Sequence, residues 1–305
     1  MSTTEPIDDL LDCLVIGAGP AGLTAATYLA RYRRKITVID GGASRARWIP
    51  ASHNCPGFPF GVAGNDLLQR FRTQAEEFAV PIVSTRIDTL TRDGAEFVAG
   101  DGQQSWRARH VILATGVVDR LPQIDDVEQA IASGVLRLCA VCDGYEARND
   151  AIAVLGTAEV ALGHAQFLRT FSRRVTALAC GGVEPFDEAL RQRADASGIV
   201  LRGAPTRLAL RDGVCHVTYA DGSGEWFDTL YPVLGADAQS ALAQALHADV
   251  DESGDLHVDG YMQTSVDGLY AIGDVVSGLN QISVAVGQAA LAATAVHRRL
   301  PPNPR

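Results

Sequence analysis

The chain has 305 residues and a net charge of −10; 47% of its residues are hydrophobic and 20% are charged. This composition is typical of a soluble globular protein with one large or two ordinary domains, and the lack of a basic stripe argues against nucleic acid as a partner. The acidic N-terminus lacks the basic region of a signal peptide, and glycines interrupt the apolar stretch Leu14–Ala30. We therefore expect a cytoplasmic protein without a membrane span.

The same order of elements is predicted twice along the chain. Asp12–Asp40 predicts a strand, a glycine turn, a helix and a second strand, and Ala151–Leu178 predicts the same order with its helix ending near Phe171. Each is a βαβ unit of about 30 residues, the size of a mononucleotide-binding half. The tail closes with a predicted helix over Ile282–Arg299, and Gly273-Asp274 lies just before it.

Each βαβ unit is followed by a predicted helix and a β-rich stretch, so we expect two similar α/β domains in series. The helices and strands of these stretches are Asn65–Phe78, Ile82–Leu90, Glu96–Ala99 and Arg107–Leu113 after the first unit, and Pro185–Ala196, Arg207–Arg211, Val214–Tyr219 and Thr229–Leu234 after the second.

The first glycine turn has the pattern of a dinucleotide-binding cradle. Gly17 permits the tight turn, Gly19 lets the backbone approach a pyrophosphate, and Gly22 lets helix and strand pack closely. The helix N-terminus then faces the phosphate with free N–H groups. Asp40 ends the next strand, 23 residues after Gly17, where a carboxylate can accept hydrogen bonds from ribose hydroxyls.

Two cysteines three positions apart, Cys139 and Cys142, precede the second βαβ unit. Such a pair closes a small ring whose disulfide is readily made and broken, and the adjacent Asp143 can pass a proton to a leaving thiolate. A zinc site would need about four ligands, and the sequence has no second CxxC or close histidine pair. We therefore predict a redox pair and no metal. Cys13 is predicted to be an inert apolar residue of a core strand, and Cys55 to be structural.

Five segments occur in an order and spacing that resemble the low-molecular-weight thioredoxin reductases. The resemblance covers nearly the whole chain, and the CxxCDG segment between the two domains is specific to that group. The five segments are GAGPAG at 17–22, NCPGFPFGVAG at 54–64, ILATG at 112–116, CAVCDGY at 139–145 and YAIGDV at 270–275.

The resemblance implies an α/β fold of two doubly wound, three-layer dinucleotide-binding domains. An FAD domain would be discontinuous, over residues 1–117 and 241–305, and an inserted domain like those that bind NAD(P)H, over 118–240, would carry the CxxC pair. Thioredoxin or a similar small dithiol protein would be the partner, and the protein would be a homodimer.

The resemblance also assigns roles to single residues. Asn54 and Thr115 would lie near the flavin or its linker, and Asp274 would bind the ribityl–phosphate region. Gln281 and Ile282 would present the last helix to the flavin, where the positive end of the helix dipole stabilises the anionic reduced form. The full set of implied FAD-binding residues is Gly17, Gly19, Pro20, Ala21, Gly22, Asp40, Gly41, Asn54, Thr115, Gly116, Gly273, Asp274, Gln281 and Ile282.

The implied catalytic residues are Cys139, Cys142 and Asp143. By resemblance, Cys142 lies on the flavin side, Cys139 attacks the external disulfide, and Asp143 is the acid–base residue.

The second glycine turn departs from the family pattern. Ala158 puts a methyl group where a pyrophosphate needs bare backbone, and the stretch 176–188 has no Arg or Lys to hold a 2′-phosphate. That stretch instead has three acids, Glu184, Asp187 and Glu188, while the strand end has no acid for NADH. Either NADPH binds in a divergent way, or it is not the natural electron donor. The segments CDGYE at 142–146 and LNQISVAVGQAA at 279–290 resemble a side branch of the family whose members take electrons from ferredoxin or from a second flavin.

Three functions stay open at this point. The leading hypothesis is an FAD-dependent disulfide reductase acting on thioredoxin or a similar protein. The second is a dithiol oxidase that passes electrons to oxygen, although that branch usually has histidine where this chain has Asp143. The third is a flavin redox sensor whose CxxC state alters the binding of a partner.

Overall fold

The computed structural model describes residues 10–180, 186–276 and 278–304. Within this part of the chain, no helix is long and apolar enough to cross a membrane. The strands are β1 Leu11–Ile16, β2 Ile36–Asp40, β3 Ile82–Ser84, β4 Thr89–Asp93, β5 Glu96–Gly100, β6 Ser105–Leu113, β7 Val117–Asp119, β8 Ala151–Gly156, β9 Arg174–Ala179, β10 Val200–Arg202, β11 Arg207–Arg211, β12 Val214–Thr218, β13 Gly224–Phe227, β14 Thr229–Pro232, β15 Ala236–Ala238 and β16 Leu269–Ala271. The helices are α1 Pro20–Arg31, α2 Gly64–Glu76, α3 Val127–Ala132, α4 Ala140–Asp143, α5 Ala158–Leu168, α6 Glu188–Ser197, α7 Ala241–Gln244 and α8 Ile282–Arg299.

The chain divides into two compact units, each built from discontinuous segments. The first unit comprises the described residues of Met1–Arg47, Asn65–Val118 and Asp237–Arg305, and the second comprises those of Trp48–Gly64 and Asp119–Ala236. The family resemblance implied that Trp48–Gly64 belongs to the FAD domain. The structure groups this segment with the second unit, where Trp48 packs against the hydrophobic core.

The first unit is built on a mixed sheet of seven strands in the order β3-β2-β1-β6-β5-β4, with β16 also paired to β6. Strands β1, β2, β3, β6 and β16 run parallel to one another, whereas β5 pairs antiparallel with both β6 and β4. Side chains alternate between the two faces: Val15 packs with α1 and α8, and its neighbour Leu14 packs with Phe97 and Leu256 on the other face. Parallel strands covered on both faces give the continuous apolar runs seen in the sequence.

The second unit has a four-stranded parallel sheet in the order β10-β9-β8-β14. Helices α5 and α6 pack on one face through residues such as Leu162 and Leu190. The other face packs against the antiparallel sheet β11-β12-β13 and helix α3. The layers are therefore mainly helix, parallel sheet and antiparallel sheet, rather than helices in equal measure on both faces.

The α/β class and the two βαβ units are confirmed. The last helix has the predicted bounds, but the predicted strand Ile82–Leu90 is two strands, β3 and β4, with no strand between them. Strand β13 was not predicted, because its four residues directly follow a turn in which Asp221 accepts the backbone N–H of Ser223. The start of the predicted helix at Pro185 lies outside the described residues.

Candidate active site

Two glycines of the first turn are required by backbone contacts. Gly17 follows β1 with φ +113°, and a Cβ there would lie 2.1 Å from the carbonyl oxygen of Ala114. A Cβ on Gly22 would lie 1.9 Å from the carbonyl oxygen of Gly17. Any side chain at either position would push β1, α1 and the end of β6 apart, because these backbones are in direct contact.

The N-terminus of α1 is open in the way an anion site requires. Gly19 is the N-cap residue, Pro20 is the first helical residue, and no side chain caps the helix. A Cβ on Gly41 or Gly42 would meet no atom within 4 Å, so the loop after β2 leaves space. An uncapped helix start offers free N–H groups and the positive end of its dipole to an anion.

Asp40 ends β2, as predicted, and its carboxylate has two partners. One oxygen accepts a hydrogen bond of 2.8 Å from the N–H of Gly42, and the other is ion-paired with Arg72 of α2. A ribose hydroxyl would therefore share this carboxylate with Arg72. No sequence motif pointed to Arg72, since it lies in a separate helix.

Gly273-Asp274 lies beside the start of α1. A Cβ on Gly273 would lie 3.1 Å from the Cβ of Ala21, and the N–H of Gly273 donates to the side chain of Gln288 at 2.7 Å. Asp274 forms an ion pair of 3.3 Å with Arg45, in the short 3₁₀ helix Arg45–Trp48. The structure thus brings the two predicted motifs together and adds an arginine that sequence reasoning missed.

The other predicted cofactor residues occupy three places. Gln281 is the N-cap residue of α8, and Ile282 begins this helix, whose first turn has no acidic residue. Thr115 donates from its hydroxyl to the carbonyl oxygen of Gln239 at 2.7 Å, and Gly116 accepts from the N–H of the same residue.

Asn54 belongs to the second unit, where its side-chain oxygen accepts a hydrogen bond of 3.1 Å from Ser52. Cys55 beside it is half-buried, and burial raises the pKa of its thiol. Cys13 is fully buried in β1, where burial strongly raises the pKa of its thiol, which fits an apolar role.

The glycine cradle, the uncapped helix and the two aspartates fit the chemistry of FAD. Its pyrophosphate needs N–H donors and bare backbone, and its ribose and ribityl hydroxyls need acceptors. The described residues of the first unit offer both.

Cys139 and Cys142 form a disulfide in the second unit. Cys139 is the N-cap residue of the short helix α4, and the N–H of Cys142 lies 3.2 Å from its sulfur and 3.0 Å from its carbonyl oxygen. Both cysteines are half-buried, so exposure alone does not assign their roles. The helical turn brings the two sulfurs together, as the CxxC spacing predicted.

Asp143 ends α4, and two side chains hold its carboxyl group. The hydroxyl of Tyr231 on β14 donates to one oxygen at 2.8 Å, and a guanidinium nitrogen of Arg137 lies 3.4 Å from the other. Burial raises the pKa of Asp143 above its ordinary value, while Arg137 and Tyr231 act in the opposite direction. Arg137 and Tyr231 were not predicted, because neither belongs to a recognisable motif.

The glycine after Asp143 is fixed by packing. A Cβ on Gly144 would lie 2.6 Å from the carbonyl oxygen of Ala140 and 2.7 Å from the ring of Phe171. A glycine at this position therefore lets the chain after α4 pack directly against Phe171, which follows α5.

The second glycine turn differs from the first in its charges. Ala158 begins α5, and Glu159 in the first turn is ion-paired with Arg193 of α6 at 2.7 Å. Asp187, one of the three acids in the stretch 176–188, is the N-cap residue of α6 and accepts the N–H of Leu190. Glu184, another of these acids, lies outside the described residues. Arg193, which α6 places beside this turn, is therefore already ion-paired with the carboxylate of Glu159.

A family model described as pyridine nucleotide-disulphide oxidoreductase matches residues 11–289. The thioredoxin reductase of Mycolicibacterium smegmatis is 30% identical over 292 residues, which cover 90% of this chain and 91% of that protein. The thioredoxin reductase of Streptomyces coelicolor is 28% identical over 285 residues, 88% of this chain and 87% of that protein. The crystal structure of thioredoxin reductase from Streptococcus pyogenes has a TM-score of 0.88 at 27% identity, over 95% of this chain and 98% of that one.

The chain therefore belongs to the pyridine nucleotide-disulphide oxidoreductase family, whose members use FAD and NADPH. Within that family it is an enzyme of the low-molecular-weight thioredoxin reductase group, a flavoprotein oxidoreductase with a redox-active disulfide.

Proposed function

We propose that this enzyme reduces a disulfide of thioredoxin or of a similar small dithiol protein through its Cys139–Cys142 pair. The observation that carries the proposal is the disulfide in α4, followed directly by the partly buried carboxyl group of Asp143. The names of the similar reductases support thioredoxin as the partner. Reduced FAD, when bound, supplies the two electrons.

The residues of the pair have complementary roles. Once the pair is a dithiol, the Cys139 thiolate attacks one sulfur of the partner's disulfide, and the other partner sulfur leaves as a thiolate. The Cys142 thiolate then attacks the sulfur of Cys139, which re-forms the Cys139–Cys142 disulfide and releases the second partner sulfur. Asp143 provides a proton to a leaving thiolate, because a carboxyl group with a raised pKa holds its proton to higher pH.

FAD would be held by the first unit. The geometry of Gly17, Gly19, Gly22 and Asp40 supports binding of the ADP part. Asp274 and the start of α8 support binding of the remainder, where the N-terminal end of the helix dipole stabilises negative charge.

The proposed electron donor is not NADPH but a redox protein such as ferredoxin, or a second flavin. The methyl group of Ala158 and the carboxylate of Glu159 at the start of α5 support this part of the proposal. The homodimer and the cytoplasmic location stay predictions of the sequence.

Reduction of thioredoxin by the purified flavoprotein tests the proposal. Under anaerobic conditions with dithionite-reduced enzyme, we expect stoichiometric conversion of the thioredoxin disulfide to the dithiol. Cys139→Ser and Cys142→Ser should each abolish the conversion, whereas Cys180→Ser, at an exposed cysteine outside the pair, should not. Oxygen consumption on addition of a dithiol, without thioredoxin reduction, would instead identify an oxidase.

A further inference from the structure

Arg137 and Tyr231 converge on the carboxyl group beside the redox disulfide from different parts of the second unit. Arg137 precedes the cysteine pair, and Tyr231 lies on β14, 88 residues after Asp143. Tyr231 is 1% exposed, and the side chains of Arg137 and Asp143 are 19% and 21% exposed. Such buried polar contacts restrict a carboxyl group much more than contacts at the surface.

We propose that Arg137 and Tyr231 are positioning residues that fix the Asp143 carboxyl group and set the pH range of thiol–disulfide exchange. This inference rests on the exchange reaction proposed above. It adds two residues, neither in the CxxCDG segment, that act on the reaction through Asp143.

Arg137 contacts the backbone on both sides of the cysteine pair, before Cys139 and after Cys142. Its guanidinium group donates to the carbonyl oxygen of Gly134 at 3.0 Å and to the backbone carbonyl oxygen of Asp143 at 3.4 Å. The same nitrogen that reaches this backbone oxygen lies 3.4 Å from the Asp143 carboxylate. Arg137 therefore holds the backbone and the side chain of Asp143 together, which limits the positions that the carboxyl group can adopt.

Tyr231 fixes the other oxygen of the carboxyl group. Its hydroxyl is the donor, because burial and the neighbouring Asp143 raise the pKa of the phenol so that it stays protonated. A hydroxyl donor favours the ionised carboxylate, and so does the positive charge of Arg137. Both residues therefore oppose the effect of burial, which favours the protonated acid.

Other charged groups near the carboxyl group have smaller or separate effects. Glu146, after α4, raises the pKa of Asp143. Asp150 raises the pKa of Tyr231 and accepts a hydrogen bond from Thr229. On α5, which packs against α4, Glu159 is paired with Arg193, and His164 contacts the carbonyl oxygen of Val160.

The test uses the FAD-loaded enzyme and the variants Tyr231→Phe, Arg137→Gln and Arg137→Lys. The first readout is the titration of the Asp143 carboxyl carbon by NMR, with the signal assigned from Asp143→Asn. Tyr231→Phe and Arg137→Gln should each move this titration to higher pH, and Arg137→Lys should move it less because the charge is kept. An Asp143 titration that stays in place in both Tyr231→Phe and Arg137→Gln would overturn the inference, whatever the enzyme's substrate.

The second readout is the pH profile of oxidised thioredoxin reduction by the pre-reduced enzyme. The midpoint should move to higher pH in Tyr231→Phe and Arg137→Gln, and the shift should vanish when either change is combined with Asp143→Asn. Dithiobis(nitrobenzoate), whose leaving thiolate needs no proton, should show no shift. Shifts of equal size with Asp143 intact and in the Asp143→Asn background would show that the two residues act elsewhere and would overturn the inference.

The two readouts separate this inference from the proposed function. A wild-type enzyme that reduces no thioredoxin at any pH contradicts the proposed function, while the NMR titration still decides the roles of Arg137 and Tyr231. Retained FAD and an unchanged circular dichroism spectrum show that a variant is folded. If Arg137→Gln fails this check, Tyr231→Phe and Arg137→Lys still decide, since each removes one feature and keeps the side-chain volume similar.

Discussion

The hydroxyl group of Tyr231 donates a 2.8 Å hydrogen bond to the carboxyl group of Asp143, the residue that directly follows Cys142. This bond joins the fully buried strand β14 to the short helix that carries the redox disulfide. A carboxyl group held in this way is preorganised, so it does not need to find its position when a thiolate leaves. In the proposed mechanism, the chemistry of the cysteine pair therefore depends on a residue from the core of the unit.

Asp143→Asn should slow thioredoxin reduction by about 10²–10⁴-fold, the usual contribution of a general acid. In the wild type the rate should fall as the pH rises through the pKa of Asp143, because donation needs the protonated form. Burial raises this pKa, so the fall should occur at higher pH than for an ordinary aspartate. The measurement is the rate of thioredoxin reduction across pH. A profile in Asp143→Asn that still has the same fall would assign it to another group.

The roles of the two cysteines predict different trapped complexes. Cys142→Ser leaves Cys139 able to attack but removes the thiol that resolves the mixed disulfide. We expect it to accumulate a covalent complex with a thioredoxin disulfide, visible by non-reducing electrophoresis and lost on adding a reductant. Cys139→Ser should accumulate far less. The opposite pattern would show that Cys142 attacks the partner and that the two roles are exchanged.

The first glycine turn predicts a clear difference between two substitutions in the same unit. Gly22→Ala should lower both the FAD content and the thermal unfolding midpoint, because its Cβ would lie 1.9 Å from the carbonyl oxygen of Gly17. Forced overpacking typically costs about 1–3 kcal/mol. Gly287→Ala in α8 is the control, since a Cβ there meets no atom within 4 Å. It should leave FAD bound and stabilise the fold by about 0.5–1 kcal/mol. Equal FAD content in the two purified variants would contradict the proposed cradle.

The sequence predicted those parts of the site that depend on neighbouring residues. The glycine turn and the CxxC pair each lie within one short segment, so their spacing alone predicts them. The role of the start of α8 was implied by the family resemblance. The paired side chains come from segments that meet only in the folded unit. Arg72 lies 32 residues from Asp40, and Arg45 lies 229 residues from Asp274.

The differences between the predicted fold and the observed fold have the same cause. Alternation and apolar runs predict that a strand exists, but they do not say what covers its second face. The sequence therefore predicted β8, β9 and β14 of the second unit, whereas the packing of β11, β12 and β13 against one face of that sheet was visible only in the structure. The segment Trp48–Gly64 has no periodic pattern, and its grouping with the second unit was visible only in the structure, where Trp48 packs against the core of that unit.

NADPH should be a poor reductant of this enzyme. A 2′-phosphate site normally has charge-assisted contacts to arginine that contribute about 1.5–3 kcal/mol each. Two missing contacts would weaken binding by roughly two to four powers of ten. Stopped-flow mixing of the anaerobic enzyme with micromolar NADPH should leave the flavin absorbance unchanged over milliseconds, while dithionite should bleach it.

Two variants test whether the residues at the start of α5 cause the weak binding of NADPH. Glu159→Gln removes a carboxylate from the first turn and releases Arg193 from its ion pair. Both side chains are exposed, at 65% and 43%, so the affinity for NADPH should rise by no more than about fivefold, equivalent to ~1 kcal/mol or less. Ala158→Gly removes the methyl group and should improve NADPH and NADH alike, because both share the pyrophosphate. If the unmodified enzyme is instead reduced by micromolar NADPH within milliseconds, the second turn binds NADPH without the usual glycine and arginines, and the proposed donor is wrong.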